Sequence, residues 1–259
     1  MSDRCKGGVA LVTGASSGIG AAVALEMAAR GAAVGLLARR LDRLEELAAR
    51  IRSRSGKAVA VECDVAREGD IERAVRRVRE EFGPISLVVA NAGFGVLGRV
   101  AEVGAQGFRR QFETNVFGVV RTVGATVEDL RATRGVIAIL GSVAGYLGVP
   151  GRGPYCASKA AVRAIAQALW GELRRDGVGV VLVSPGYVES EFRRRGEDGK
   201  IGPDPAPAWL VMPVEKAARK IVRAMLRRRQ EVVLTVHGRL GAWLARLAPG
   251  LALRLLATR

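Results

Sequence analysis

The sequence has few of the features that divide a chain into domains or export it from a cell. No linker rich in Gly, Ser or Pro, no low-complexity segment and no repeat of about 20 to 50 residues interrupts its 259 residues. The cysteines Cys5, Cys63 and Cys156 lack metal-ligand spacing, so we expect a reducing, cytoplasmic compartment and no metal site. An apolar strand at residue 9 leaves no room for a signal peptide. One large α/β domain is therefore expected.

Acidic residues are scarce relative to basic ones. The chain has 25 Asp and Glu against 41 Lys and Arg, which gives a formal net charge of +16 and raises the question of nucleic-acid binding. The arginines, however, recur on predicted helix faces, without interleaved aromatic residues or a nucleic-acid-binding motif. We expect solvated helix surfaces and no specific nucleic-acid partner, with non-specific attraction to polyanions or anionic lipid as a consequence of the charge.

A strand, a glycine-rich turn and a helix open the chain. Residues 9–13 are apolar or β-branched and predict a buried strand, and an Ala-rich helix follows the sequence GASSGIG. Gly14 can adopt a turn conformation closed to other residues, Gly18 lets phosphates approach the backbone, and Gly20 lets helix and strand pack closely. Because a helix N-terminus presents free N–H groups and a positive dipole end, this turn suits a pyrophosphate.

Three interpretations of the turn stay open on its own residues. With Thr13 in front, the spacing is TGxxxGxG, a dinucleotide-binding form. A tight turn in another α/β fold is the plain alternative. The same letters also satisfy G-x-S-x-G, the nucleophile elbow of a serine hydrolase, with Ser16 as nucleophile and His237, the only histidine, as base. In the dinucleotide interpretation the contacts to the coenzyme are Gly14, Ser16, Ser17, Gly18, Ile19 and Gly20.

The second strand ends in two arginines where an NAD-binding protein would carry an acid. That acid binds the ribose 2'-hydroxyl about 20 residues after the glycines. Here the strand over residues 33–38 is followed by Arg39 and Arg40, which would bind a 2'-phosphate with charge-assisted hydrogen bonds. The pattern favours NADP over NAD. The alternative is that both arginines cap an exposed helix start.

Apolar strands alternate with amphipathic helices, which predicts a doubly wound, Rossmann-type parallel sheet of about seven strands with helices on both faces. The ligand crevice of such a sheet lies at the carboxyl ends of its strands. Asp64, after the third strand, is expected there, as an acceptor for an adenine amino group, as a cap of the next helix, or as both. After the fourth strand come Asn91, Ala92 and Gly93, small enough for a ribose or nicotinamide ring to lie against the backbone.

Tyr155 and Lys159 lie four residues apart on a predicted helix and therefore share a face. A free tyrosine has a pKa of about 10, so acid–base work near neutral pH needs stabilisation of the phenolate by about 4 kcal/mol. A lysine ammonium about 4 Å away, at an effective dielectric near 20, supplies roughly that energy, and an oxidised nicotinamide would add to it. Asn115, on a helix expected over residues 107–130, and Ser142, after the fifth strand, precede the pair.

These motifs, taken in order, resemble the short-chain dehydrogenase/reductase family over residues 8–190, and over residues up to about 236 by strand and helix pattern. The resemblance implies that Tyr155 protonates a carbonyl oxygen as NADPH delivers hydride, and that Ser142 binds that oxygen. Lys159 would lower the tyrosine pKa and bind the nicotinamide ribose, and Asn115 would anchor a water that links Lys159 to solvent. The further coenzyme contacts implied are Asp64, Val65, Asn91, Ala92, Gly93, Tyr155, Lys159, Pro185, Gly186, Val188 and Ser190.

The chain departs from the family pattern at two positions and carries a long loop after the second. Ala90 replaces the first residue of Asn-Asn-Ala-Gly, and Ser190 replaces the threonine of Pro-Gly-x-Val-x-Thr but keeps its hydroxyl. Residues 187–213 are expected to close over a bulky hydrophobic ketone, aldehyde or alcohol. The loop carries Pro203, Pro205 and Pro207, and the expected pocket lining is Phe94, Val143, Tyr146, Leu147, Tyr187, Phe192, Trp209 and Met212.

The segment from 237 to 259 lies outside the family motifs and follows a catalytic domain expected over residues 1–236. Its leucines and Trp243 follow helical spacing with arginines beside them, but it is too broken and basic to span a bilayer. It is expected to dock on the core or on a partner subunit, or else to contact anionic lipid peripherally. Small residues on the helix of Tyr155 would permit close packing in a homo-oligomer, a dimer or tetramer, and would equally permit packing on the protein's own sheet: Ala160, Ala161, Ala164 and Ala168.

The function implied is therefore an NADP-dependent oxidoreductase that interconverts a carbonyl and an alcohol. Two alternatives stay open: an NADP-binding sensor without catalysis, and the serine hydrolase built on Ser16.

Overall fold

The computed structural model describes residues 4–191 and 206–257, and its centre is a seven-stranded parallel sheet in the order β3-β2-β1-β4-β5-β6-β7. The predicted doubly wound α/β sheet is confirmed. Because strand order reverses between β1 and β4, their carboxyl ends open the ligand crevice of such a fold. The strands are β1 Val9–Thr13, β2 Ala33–Ala38, β3 Lys57–Glu62, β4 Leu87–Ala90, β5 Val136–Leu140, β6 Gly179–Ser184 and β7 Glu231–Val233.

Helices cover both faces of this sheet. The strands are almost continuously apolar because both of their faces are buried. Val12 of β1 and Leu36 of β2 belong to one core cluster, and their neighbours Leu11 and Leu37 belong to the cluster on the opposite face. The helices are α1 Gly18–Ala29, α2 Leu41–Arg52, α3 Asp70–Phe82, α4 Val100–Phe112, α5 Gly118–Thr133, α6 Gly153–Leu173, α7 Val214–Leu226, α8 Val236–Leu247 and α9 Pro249–Ala257.

The helix expected over residues 107–130 is wrong in its bounds and in its regularity. It begins at Val100 with α4, bends at Gly104 (φ 57°), passes through a π-helical turn over Glu113–Phe117 and continues as α5. A π turn holds an extra residue, so a 3.6-residue period cannot reveal it. This turn contains Asn115, which is fully buried.

The C-terminal part of the described chain consists of α7, β7, α8 and α9. Helix α7 packs against α1, while α8 and α9 pack against each other. No helix within residues 4–191 and 206–257 combines the length and the apolar character needed to cross a bilayer.

Candidate active site

The glycine turn is packed so closely that side chains are excluded from it. Gly14 and Gly18 have positive φ angles of 66° and 54°. A Cβ atom on Gly20 would lie 2.4 Å from the carbonyl oxygen of Gly14 and 2.6 Å from Nδ2 of Asn91. The turn therefore fixes the N-terminus of α1 directly against the end of β1, with its backbone N–H groups facing the crevice edge of the sheet.

Thr13 and Asn91 join this turn to the end of β4. The Thr13 hydroxyl accepts hydrogen bonds from the backbone N–H groups of Asn91 (3.0 Å) and Ala92 (3.1 Å). The Asn91 amide donates to the carbonyl oxygens of Thr13 (3.0 Å) and Gly14 (3.2 Å). The side chain of Asn91 thus positions the backbone of the crevice. Thr13 was missing from the predicted site, although its place before Gly14 in the motif is a sequence signal for it.

Arg40 reaches from the end of β2 into the glycine turn. Its guanidinium donates to the hydroxyl of Ser16 (2.9 Å) and to the hydroxyl of Ser17 (3.0 Å), and it pairs with Glu191 (3.3 Å). Arg43 also pairs with Glu191, at 2.6 Å. Arg40 is the residue before α2, yet its side chain makes no capping hydrogen bond. The capping alternative is therefore wrong for Arg40.

Arg39 and Asp64 form a looser pair on the same edge. Arg39 is three-quarters exposed, and its guanidinium lies 4.0 Å from the Asp64 carboxylate. The other Asp64 oxygen accepts a hydrogen bond from the backbone N–H of Ala66 (3.0 Å) and so closes a turn. Helix α3 begins only at Asp70, after Gly69 (φ 79°), so the prediction that Asp64 caps it is wrong.

Tyr155, Ser142 and Lys159 come together where β5 ends and α6 begins. The Ser142 hydroxyl forms a hydrogen bond with Tyr155 and also accepts one from the backbone N–H of Ala144 (3.1 Å). Lys159 is almost fully buried, and its Nζ lies 5.9 Å from the centroid of the Tyr155 ring. The same Nζ donates to the carbonyl oxygen of Leu140 (2.7 Å). The structure therefore brings three of the four predicted catalytic residues together.

The pKa values of this pair differ from the expectation. Burial raises the pKa of Tyr155 above its ordinary value, while the hydrogen bond from Ser142 and the charge of Arg152 lower it. Burial also lowers the pKa of Lys159 to about 8. The expected depression of the tyrosine pKa by Lys159 is thus wrong for the chain by itself. The physical reason is desolvation, which disfavours phenolate and ammonium alike.

Asn115 packs beside this group and holds the loop after β4. Its Oδ1 accepts from the backbone N–H of Phe94 (3.0 Å), and its Nδ2 donates to the carbonyl oxygen of Phe94 (3.0 Å) and to the hydroxyl of Ser158 (3.1 Å). The buried Gln111 adds two hydrogen bonds of 2.6 Å to the same loop, from Val96 N–H and to Phe94 oxygen. The side-chain amide of Asn115 therefore makes three hydrogen bonds within the protein, two of them to the loop after β4.

The segment after β6 approaches the site from the other side of the crevice. A Cβ atom on Gly186 would lie 2.2 Å from the hydroxyl oxygen of Thr235, so the chain passes directly over the end of β7. Tyr187 and Glu189 form backbone hydrogen bonds with Met212 of 2.8 and 3.0 Å. A Cβ atom on Gly18 would lie 3.2 Å from the Cβ of Ser190. Of the predicted residues from Pro185 to Ser190, Ser190 thus lies against the glycine turn, whereas Gly186 lies against Thr235 and His237.

The comparison with known proteins agrees with this geometry. A model of the short chain dehydrogenase family matches residues 8–200. The chain belongs to this family. The 11-beta-hydroxysteroid dehydrogenase A of Sesamum indicum is 34% identical over 253 residues, which cover 94% of this chain and 72% of the relative.

Two solved structures share the fold over most of both chains. An alcohol dehydrogenase of Thermococcus sibiricus, complexed with 5-hydroxy-NADP, is 31% identical with a TM-score of 0.78 and covers 88% of this chain and 96% of its own. A short chain dehydrogenase/reductase of Burkholderia phymatum, complexed with NAD, is 26% identical with a TM-score of 0.85. The match covers 97% of this chain and 96% of the chain in that structure.

In this short-chain dehydrogenase the expected pocket lining is only partly assembled. Tyr146 lies in a polar cluster, because its hydroxyl binds Glu231 and its ring lies between the guanidinium groups of Arg163 (4.5 Å) and Arg246 (4.9 Å). Trp209 is 82% exposed. The residues Phe192, Pro203 and Pro205 lie outside the described part of the chain.

The hydrolase alternative finds no support in the same site. The Ser16 hydroxyl accepts hydrogen bonds from Arg40, a cation that does not deprotonate it. His237 lies in the first turn of α8, where its ring contacts Tyr187 and its Nε2 lies 3.2 Å from the Thr235 hydroxyl. Membership of the short-chain dehydrogenases overturns this alternative.

Proposed function

We propose that the protein interconverts a carbonyl and an alcohol with NADP(H), using Tyr155 as general acid and base. The observation that carries the proposal is the hydrogen-bonded pair of Tyr155 and Ser142, with Lys159 beside it, at the edge of the sheet that also holds the glycine turn. A phenol and a serine hydroxyl that converge on one point suit a carbonyl oxygen, which accepts hydrogen bonds from both.

In the direction of reduction, hydride adds to the carbonyl carbon and the electron pair of the C=O bond moves to the oxygen. NADP(H) held by the glycine turn and Arg40 would supply this hydride, and would accept it in the reverse direction. Ser142 orients the oxygen, and the proton of the Tyr155 hydroxyl is transferred to it. Lys159, whose pKa burial lowers to about 8, lies beside the Tyr155 ring and in our proposal replaces the proton that Tyr155 loses. Asn115 positions the loop after β4 that borders the site.

The proposed preference for NADP rests on Arg40. It lies at the end of β2, where the 2'-substituent of the adenosine ribose binds in this fold, and it is already held by Ser16 and Ser17 of the glycine turn. The glycines that exclude a Cβ leave room for phosphates against the backbone, so the residues fit a dinucleotide. The two structural relatives carry 5-hydroxy-NADP and NAD, respectively. In our proposal, Arg40 therefore gives this chain its preference for NADP over NAD.

We further propose a hydrophobic substrate, a cytoplasmic location and a homo-oligomer. One relative is a hydroxysteroid dehydrogenase, and Tyr187 and Met212 of this chain border the site. For the oligomer, α5 and α6 share an apolar outer face on which Phe117 and Val120 are about half exposed. A shallow cavity in this face is lined by Val120, Val123, Ile165, Ala168, Leu169 and Glu172.

The experiment follows NADPH absorbance against a panel of steroid, terpenoid and aliphatic carbonyls. The variant Tyr155→Phe is expected to lower kcat by about 10²- to 10⁴-fold, because the proton donor is lost. Tyr146→Phe is the matched control, since the Tyr146 hydroxyl binds Glu231, and it is expected to retain activity. Equal turnover by Tyr155→Phe and the wild type would contradict the mechanism. Tight NADPH binding without turnover of any carbonyl would support the sensor alternative instead.

A further inference from the structure

Helices α8 and α9 present their large apolar side chains to solvent and their small ones to the protein. Gly238, Ala242 and Ala252 are buried, whereas Trp243 is 63% exposed. This distribution is the reverse of an ordinary surface helix, in which the bulky apolar side chains face the core. On α8 the exposed residues recur three or four positions apart and form one outer stripe, Val236, Leu240, Trp243 and Leu247; beyond the break at Ala248, α9 exposes Leu251 as well.

Polar contacts on the inner side hold α8 in this orientation. Arg246 pairs with Glu231 of β7 at 2.6 Å, and its guanidinium lies over the Tyr146 ring. The Thr235 hydroxyl caps the N-terminus of α8 by accepting from Gly238 N–H (3.2 Å). The helix is therefore anchored by its polar groups, and rotating the outer stripe inward would break the ion pair and the cap.

Basic groups lie beside the outer stripe. Between Val232 and the last residue the sequence contains no Asp or Glu, while Arg239 and Arg254 lie on the two helices. Arg239 is also close to the lysines of α7: burial lowers the pKa of Lys220, and the charges of Arg239 and Lys216 lower it further. An apolar stripe with cations at its border has the composition of a helix that lies in a membrane interface.

We propose that the outer stripe docks on the surface of an anionic membrane, with α8 parallel to it. A second copy of this chain is the poorer occupant, because it would bring together two segments that both lack acidic residues and both carry arginine. Anionic lipid headgroups neutralise these cations while the outer stripe enters the headgroup boundary.

The stripe begins beside the substrate side of the crevice. His237 of α8 contacts the ring of Tyr187, with 5.2 Å between ring centroids, and Tyr187 opens the loop that borders the site. Docking would therefore bring Tyr187 close to the lipid surface, where an apolar carbonyl or alcohol dissolves. This consequence rests on the proposed function, whereas the docking itself does not.

The test is flotation of the full chain with vesicles, in the absence of coenzyme and substrate. Phosphatidylcholine vesicles that contain phosphatidylserine are compared with phosphatidylcholine alone, and the wild type is expected to float with the anionic vesicles only. Leu240→Glu is expected to reduce the membrane partition by about tenfold or more, since a large side chain loses its burial. Gly241→Glu adds the same charge at the next position, where nothing lies within 4 Å, and is expected to retain most of the binding.

Three results would overturn the proposal. The first is a wild type that stays unbound to anionic vesicles, and the second is equal flotation of the Leu240→Glu and Gly241→Glu variants. The third is a lipid-independent oligomer, seen by light scattering, that dissociates in Leu240→Glu, because a second copy would then cover the outer stripe. Circular dichroism of each variant shows whether it folds. Since no turnover is measured, failure here leaves the oxidoreductase proposal standing, and the reverse also holds.

Discussion

The two ends of the crevice, the coenzyme side and the substrate side, differ in how closely their residues are packed. On the coenzyme side, Gly14 and Gly20 lie so close to Asn91 and to each other that any added carbon would overlap. On the substrate side, Trp209 is exposed and α8 turns its bulky side chains outward. The comparison indicates that close packing fixes the coenzyme side, whereas the substrate side leaves large apolar side chains exposed to solvent.

The largest effect expected from this contrast is on stability. Gly20→Ala would place a Cβ 2.4 Å from the Gly14 oxygen, so we expect unfolding free energy to fall by about 1 to 3 kcal/mol. Gly241→Ala, in α8 with nothing within 4 Å, should instead stabilise the chain by about 0.5 to 1 kcal/mol. Urea unfolding of both variants measures the difference. Similar changes in unfolding free energy for Gly20→Ala and Gly241→Ala would contradict the proposed difference between the coenzyme side and the substrate side.

A second effect separates the two arginines on the coenzyme side. Arg40→Gln is expected to raise KM for NADPH by about 10- to 100-fold, because it removes a charge-assisted contact to the 2'-phosphate, and to change KM for NADH little. Arg39→Gln should have the smaller effect, since Arg39 is three-quarters exposed. Initial rates with both coenzymes provide the measurement. Equal efficiency of the wild type with NADH and NADPH would contradict the assignment.

The smallest effect concerns Lys159, between the two ends. Its pKa falls from 10.5 to about 8 on folding because it is buried. Between these values the unfolded chain binds more protons than the folded one, so this residue makes stability rise with pH. Below pH 8 the cost of burying the charge is fully present. We expect Lys159→Met to remove roughly 1 kcal/mol of this rise between about pH 8 and pH 9.

Urea unfolding of the wild type and Lys159→Met at the two pH values tests this. If the unfolding free energy of the wild type fell relative to that of the variant as pH rises, burial would not be what sets the pKa of Lys159.

Much of the coenzyme side could be predicted from the sequence because its determinants are local. Glycines at fixed spacing after a strand specify the turn, and the ends of parallel strands meet at one edge, which places Ser142 and Tyr155 near it. Thr13 belonged to the same motif, but its hydrogen bonds to Asn91 and Ala92 were not predicted. The proposed NADP preference also rests on a local signal, since Arg40 directly follows β2.

The features that could not be predicted depend on packing between distant elements. The π turn around Asn115 has no periodic signal, and the hydrogen bonds of Gln111 to the loop after β4 join positions that no motif links. The direction of the Tyr155 pKa shift depends on burial, which a helical spacing of four residues does not report. Likewise, the spacing of Trp243 predicted an amphipathic helix but not which face would point outward.

The most direct test of the account is a crystal structure of the chain with NADP⁺ and a carbonyl or alcohol substrate analogue. We predict that the nicotinamide carbon that accepts the hydride lies about 3 to 3.5 Å from the reacting carbon of the analogue. The oxygen of the analogue should lie within hydrogen-bonding distance of both Tyr155 and Ser142. A nicotinamide ring bound away from the Tyr155 hydroxyl would contradict the mechanism.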